Sequence, residues 1–320
     1  MSRVLITGAN GFIGRAVCQY LRSSGYTLSG TTRDANKKRG PANIPLYNIP
    51  QLGIDTDWLP SVSGAEAIVH LAARVHVMRD FLSDPLVEFR RVNRDETIKL
   101  AEAAVSASVK RLIFVSTVKV NGEVTENRSF SETDTPSPLD PYAISKWEAE
   151  KSLVEISHKT ELEVVILRVP LVYGPYVKGN FLKLVKACAG RRLLPLGAIA
   201  NARSFLYVSN LASAVKTCLE HPFASGKIYL VSDGQDLSTP DLVRGICGAL
   251  GLNDRLYSWP RWLLTVIGGL TFRLETVKKL TESLQVDSSL IKQELQWSPP
   301  FTVQEGLNET ARWFIENRVS

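Results

Sequence analysis

The stretch VLITGANGFIG, residues 4–14, constrains this chain more than any other. An apolar run of strand length ends in glycines at positions 8, 11 and 14, and helix-compatible residues follow at once. Glycine lets a backbone turn sharply and come close to a ligand. A helix opening at that turn offers unpaired amide donors and positive potential to a phosphate. Gly8, Gly11 and Gly14 are therefore expected to cradle the pyrophosphate of a dinucleotide, with Phe12 and Ile13 in the same set where the helix begins.

The pattern around this loop repeats. Apolar runs at 4–7, 28–31, 67–72, 112–116 and 164–167 alternate with helical periods at 12–23, 86–107 and 142–157. Near-continuous apolar strands separated by helices imply a parallel sheet covered on both faces. The expected fold is α/β, a doubly wound parallel (Rossmann) sheet, and ligands bind such sheets at the carboxyl ends of the strands. Beyond about residue 170 the chain becomes richer in proline, glycine and short mixed segments, with helices expected at 240–250, 262–279 and 303–318. This divides the chain into a dinucleotide-binding domain at 1–170 and a smaller, mostly helical substrate lobe at 171–320. Residues 227–231 are expected to return to the sheet.

Composition excludes more than it identifies. The net charge of +6 comes from lysines and arginines that are scattered, apart from the run 37–39, so an anionic small molecule is expected rather than nucleic acid. The four cysteines, Cys18, Cys188, Cys218 and Cys247, are far apart and form no C-x-x-C pair, which predicts reduced thiols and no metal site. The start Met1-Ser2-Arg3 leads directly into an apolar strand, with no room for a secretory leader, so a cytoplasmic location is expected. The segment WPRWLLTVIGGLTF, 259–272, is too short to span a bilayer. A buried helix of the smaller lobe is the first expectation there, and a peripheral membrane contact or a dimer surface is the other.

Tyr142 and Lys146 in PYAISKWEAE are four apart and so share one helix face. At the end of the second strand, seven residues after Gly25, Thr32 stands where an NAD site usually carries an acid, and Arg33 follows. A guanidinium suits a 2′-phosphate, so NADP(H) is expected, with NAD(H) open through Asp34.

With TGANGFIG, HLAA at 70–73, VST at 115–117, YAISK, LRVPLVYGP and RSFLYVSNLASAV in order along the chain, the sequence resembles the extended short-chain dehydrogenase/reductase family of nucleotide-sugar epimerases, dehydratases and ketoreductases. Within that family, HLAARVHVM, NARSFLYVSNL and SLQVDSSLI look most like bacterial UDP-sugar 4-ketoreductases. The resemblance implies Tyr142 as acid/base, Lys146 as its partner at the nicotinamide ribose, and Thr117 as the hydroxyl that holds the reacting oxygen. It also implies a cofactor lining of Leu71, Ala72, Ala73, Ser116, Pro170 and Val172, and a nucleotide diphosphate held by Asn180 and Arg203. Arg74 and His76 follow the HLAA stretch near the expected sugar, and His70 is expected to be structural. Asn48, Asn210, Glu282 and Ser283 depart from the family pattern.

Dehydratases of this family carry Asp-Glu directly after the hydroxyl residue. Val118-Lys119 occupies those positions here and cannot act as such a pair. The leading expectation is therefore NADPH-dependent reduction of the C4 ketone of a UDP-4-keto-6-deoxy-(N-acetyl)hexosamine for bacterial surface polysaccharide. An NAD-dependent UDP-sugar 4-epimerase is the alternative, and a non-catalytic dinucleotide sensor is a third. The resemblance further implies a homodimer paired through helices 86–107 and 142–157.

Overall fold

The structure, a computed structural model, describes residues 2–34, 36–49, 56–75, 84–190, 193–260 and 274–317. Seven parallel strands form one sheet: β1 (Arg3–Thr7), β2 (Thr27–Thr32), β3 (Leu46–Asn48), β4 (Ala67–His70), β5 (Arg111–Thr117), β6 (Glu163–Val169) and β9 (Ile228–Leu230), in the order β3-β2-β1-β4-β5-β6-β9. The order reverses at β1, which pairs with β2 on one side and β4 on the other. That reversal opens the crevice in which a doubly wound sheet takes its ligand.

Alternate side chains divide the sheet's apolar surface into two cores. Val4, Ile6, Val69, Ile113 and Val165 pack with α1 (Phe12–Ser23) and α7 (Val208–Glu220) on one face. Leu5, Ile68, Leu112, Phe114 and Ile166 pack with α4 (Glu96–Ser106) and α5 (Pro141–Lys159) on the other. Both faces are buried, which is why the strands read as apolar runs rather than as alternating ones. A third core belongs to the C-terminal region, where α6 (Gly179–Ala189) and α8 (Thr239–Ala249) pack around a two-stranded parallel sheet, β7 (Leu171–Tyr173) and β8 (Phe205–Tyr207). Past residue 170, β9 extends the main sheet beside β6, and α7 lies against α1.

One helix differs from the sequence expectation. The helix expected over 86–107 is α3 (Pro85–Arg90), a π-helical turn at Arg91–Asp95, and α4. The π turn carries Asn93 inward, where it is 1% exposed and bonded to two other segments. The helix expected at 262–279 is described only as Leu274–Thr281, and the questions raised at 261–272 lie outside the described residues, as does His76. Among the described residues no helix is long and apolar enough to cross a membrane. All four cysteines are buried and unbridged.

Asn210, one of the departures from the family pattern, joins three parts of the fold. Its amide donates to the Asp233 carboxylate at 2.7 Å and to the Phe301 carbonyl at 2.8 Å, and its Oδ1 accepts the Phe301 amide at 3.0 Å. Asp233 also accepts from the Tyr207 amide and the Tyr173 hydroxyl, and burial holds its pKa above the usual carboxylate range. An amide is needed here because an acid at 210 would face Asp233 across the same contact. Asn210→Asp is accordingly expected to cost about 2–4 kcal/mol of stability in denaturant unfolding at neutral pH. The loss should shrink as pH falls and the paired carboxyls take up a proton, because the repulsion belongs to their ionised forms.

Candidate active site

The glycine loop is built by contacts that leave no space for side chains. Gly8 has φ +68°, and a Cβ there would stand 3.0 Å from the Ala72 amide nitrogen. A Cβ on Gly14 would come within 2.2 Å of the Gly8 carbonyl oxygen, so β1 and α1 approach closely only because no Cβ is present. Gly11 caps α1 without a side-chain hydrogen bond, and no acid lies in the first turn. The α1 amides are thus left for an anionic ligand, and Asn10 Nδ2 in the same loop is buried without a hydrogen-bond partner. These features fit a dinucleotide pyrophosphate. Phe12 and Ile13 turn their side chains into the apolar clusters, so what they present to a ligand is backbone.

Beside the loop, Thr7 Oγ1 accepts the amides of Leu71 and Ala72 at 3.0 and 3.1 Å. Its own proton therefore goes to His70 Nδ1, at 2.7 Å. His70 Nε2 in turn donates to Thr97 Oγ1 at 2.9 Å, and Thr97 donates to the Asn93 carbonyl at 2.7 Å. Burial, with Lys146 nearby, lowers the His70 pKa to about 3, so the ring is neutral. This is the structural histidine that the sequence led us to expect. Leu71, Ala72 and Ala73 are partly exposed along this wall.

The catalytic candidates lie on β5 and α5. Asp140 caps α5 by accepting the Ala143 amide at 2.7 Å, and Pro141 occupies the first turn, a start that favours a helix at Tyr142. Lys146 is 2% exposed, with Nζ 3.7 Å from the centroid of the Phe114 ring of β5. Burial pushes its pKa down to about 7, against the pull of Glu150 one turn on. Burial and the nearby Asp140 carboxylate both raise the Tyr142 phenol. Thr117 ends β5 at 8% exposure, and its hydroxyl accepts the Lys119 amide at 3.3 Å. A cleft of about 260 Å³ beside Tyr142 is lined by Phe89, Lys119, Glu123, Asp140, Pro141, Tyr142 and Lys279.

Ser116 turns its hydroxyl inward, where it donates to the buried Glu150 carboxylate. Glu150 is held by Arg168 of β6 through Nη2 at 2.7 Å, and Arg168 also donates to Asn121 Oδ1 at 3.1 Å. Pro170 is buried where β6 passes into β7, and Val172 packs partly buried between two cores. Arg33 is exposed at the end of β2, where Thr32 Oγ1 accepts the Asp34 amide at 3.1 Å.

On the substrate side, Asn180 is exposed in the first turn of α6, and Lys178 rather than Asn180 is the cap residue. Arg203 is half-buried, and its Nη1 donates to the Glu282 carbonyl at 2.9 Å. Glu282 and Ser283, the second departure, thus serve Arg203 and Ala202 with a carbonyl and a hydroxyl in place of a second arginine. Sequence reasoning did not single out Asn10, Asn93, Asp140, Glu150 or Arg168. Glu150 was within reach of it, because residues 142, 146 and 150 share one helix face.

A Rossmann sheet with a glycine loop at its switch point and a Tyr-x-x-x-Lys helix beside it defines an oxidoreductase that uses a nicotinamide dinucleotide. The comparisons give the family: residues 4–232 match the model of the NAD dependent epimerase/dehydratase family. The chain is 39% identical over 317 residues to a UDP-glucose 4-epimerase of Vibrio cholerae, covering 98% of this chain and 95% of that one. It is 30% identical over 337 residues to a dTDP-glucose 4,6-dehydratase of Streptomyces niveus, covering 99% and 94%. Its fold matches the crystal structure of UDP-N-acetylglucosamine 4-epimerase from Bacillus cereus with a TM-score of 0.80, at 20% identity, covering 98% of this chain and 99% of that one. The chain belongs to the NAD dependent epimerase/dehydratase family of extended short-chain dehydrogenases/reductases.

Tyr142→Phe removes the only proton-transferring atom of that side chain and leaves the glycine loop untouched. Turnover of the variant is expected to fall by about 10²–10⁴-fold, with dinucleotide affinity within about threefold of the parent by calorimetry.

Proposed function

We propose that the chain is a UDP-sugar 4-epimerase that keeps NAD bound through turnover. The observation that carries this reading is the intact set Thr117, Tyr142 and Lys146 beside Val118-Lys119. Removal of water across C5 and C6 takes a free acid and base next to the hydroxyl residue. Val118 is buried, Lys119 is a cation, and the two acids of the cleft, Glu123 and Asp140, both hold Lys119. That leaves chemistry at C4. The identity with a UDP-glucose 4-epimerase along almost the whole chain supports the same conclusion.

In this reading NAD supplies a hydride acceptor, a hydride donor and, when oxidised, a positive charge that favours the phenolate. Tyr142 takes the C4 hydroxyl proton and later returns one, and Thr117 steadies the oxygen while its charge changes. Lys146 holds the ribose and adds its charge beside the phenol. Arg203, half-buried and in no ion pair among the described residues, is available to the diphosphate, with Asn180 at the same lobe. Leu71, Ala72, Ala73, Pro170 and Val172 line the dinucleotide. Two copies pair through the helices at 85–106 and 141–159.

One observation favours the NADPH-dependent 4-ketoreductase as a second reading: Arg33 is exposed at the end of β2, within reach of a 2′-phosphate. The two readings separate on what the purified protein carries and needs. As an epimerase it releases NAD on denaturation and interconverts UDP-glucose and UDP-galactose, or their N-acetyl forms, with no cofactor added. Arg33→Ala is then expected to leave the NAD content unchanged. A protein isolated without dinucleotide that turns over only with NADPH and a UDP-4-keto sugar contradicts the epimerase. Arg33→Ala would then weaken NADPH far more than NADH.

A further inference from the structure

Lys119 has an environment that the reaction outlined above does not use. Its ammonium lies 2.6 Å from Glu123 Oε1 and 2.5 Å from Asp140 Oδ2, and its side chain is 20% exposed. Burial works against that charge, but the two carboxylates outweigh it and hold the Lys119 pKa above its ordinary value. Asp140 uses its other oxygen to cap α5, two residues before Tyr142. At its backbone, the Lys119 amide donates to Thr117 Oγ1. One residue therefore touches the hydroxyl at the end of β5 and the carboxylate that starts the Tyr142 helix, and all three charged groups line the cleft that Tyr142 lines.

We propose that Lys119 is a positioning residue for Tyr142: its ammonium ties the loop after Thr117 to the start of the Tyr142 helix and offsets part of the charge on the carboxylate that caps that helix. The proposal rests on the reading of Tyr142 as the acid/base. The cap must be a good acceptor for the α5 amides, and an aspartate meets that need at the expense of a negative charge beside a phenol that must ionise. Lys119 offsets part of that charge and keeps the cap.

Among the described residues, the other charged groups around Tyr142 are placed differently. Lys146, on the same helix, is drawn to the Phe114 ring on the β5 side. Lys279, from the helix at 274–281, is exposed at the cleft. Phe89 of α3 meets Tyr142 edge-on at 6.2 Å with an uncharged ring, over which Arg74 lies 5.8 Å away. Arg90 of α3 is committed to Glu148.

Because proton removal from the C4 hydroxyl needs the phenolate, kcat/KM for UDP-sugar interconversion rises with pH through the Tyr142 pKa. Lys119→Met removes the cation that touches both Asp140 and Glu123, which disfavours the phenolate and moves that midpoint to higher pH. The expected shift is roughly one pH unit, the size of one uncancelled like charge nearby. Lys119→Arg should stay close to the parent. Lys119→Met with Asp140→Asn should recover most of the shift, because asparagine caps a helix about as well as aspartate without the charge.

A readout independent of turnover is the pH titration of fluorotyrosine-labelled protein by fluorine NMR, with Tyr142→Phe identifying the resonance. The same order of midpoints is expected there. A Lys119→Met midpoint equal to the parent's overturns the proposal, and so does one that Asp140→Asn does not restore. If Lys119→Met does not fold, Lys119→Gln answers the same question. Should the parent fail to interconvert any UDP-sugar, the proposed function falls, and the NMR midpoints still decide the role of Lys119.

Discussion

The hydroxyl of Thr7 is the contact on which the site depends. By accepting two amides from the turn after β4 it sets the wall that faces Gly8, and by donating to His70 it fixes that ring as a neutral acceptor at Nδ1. The direction of every later bond follows, through Thr97 to the carbonyl of Asn93 in the π turn. Asn93 then holds both backbone groups of Arg74 and donates to Ser145 Oγ, which donates to the Tyr142 carbonyl. The glycine loop and the Tyr142 helix are thus joined by hydrogen bonds with no freedom of tautomer. Such a chain is costly to break at any link, because each broken link leaves a buried polar group unpaired.

A second buried network lies under the other side of α5. Glu150, Arg168, Ser116 and Asn121 connect the helix, β5, β6 and the loop after β5, with the ion pair almost wholly removed from water. Buried ion pairs contribute little net stability, and what this one supplies is register. It keeps Thr117 at a set height along α5, and its carboxylate is the acid that resists the loss of charge on Lys146. The first network reaches the Tyr142 backbone, the second ties β5 beside Thr117 to α5, and Lys119 bridges the loop after β5 to the start of α5.

The parts of this design that were legible in the sequence are those set by local chemistry. Gly8 and Gly14 announce a loop where a Cβ does not fit, and residues 142 and 146 announce a shared helix face. The apolar runs of β1, β4, β5 and β6 announce strands buried on both sides. Less was legible where a partner lies far along the chain. The π turn at 91–95 exists because Asn93 finds Arg74 and Ser145, and no local pattern marks it. Ser116 and Thr117 look alike in sequence, and only Glu150, on a helix thirty-four residues on, assigns Ser116 to the interior. The three-residue strands β7 and β8 are too short to carry a period. Arg33 suggested NADP(H), but Arg33 and Asp34 stand exposed together at the end of β2, and local residue type does not choose between them. The choice between ketoreductase and epimerase leans instead on the likeness to a 4-epimerase along almost the whole chain.

The central claim is that hydride leaves and returns at the same carbon within one bound complex. It is tested most directly with UDP-glucose carrying deuterium at C4, incubated with the purified protein and no added cofactor. The account predicts UDP-galactose with the deuterium retained at C4. Loss of the label to solvent or to added nicotinamide, or the absence of any C4 epimer from UDP-glucose and from its N-acetyl form alike, would contradict it.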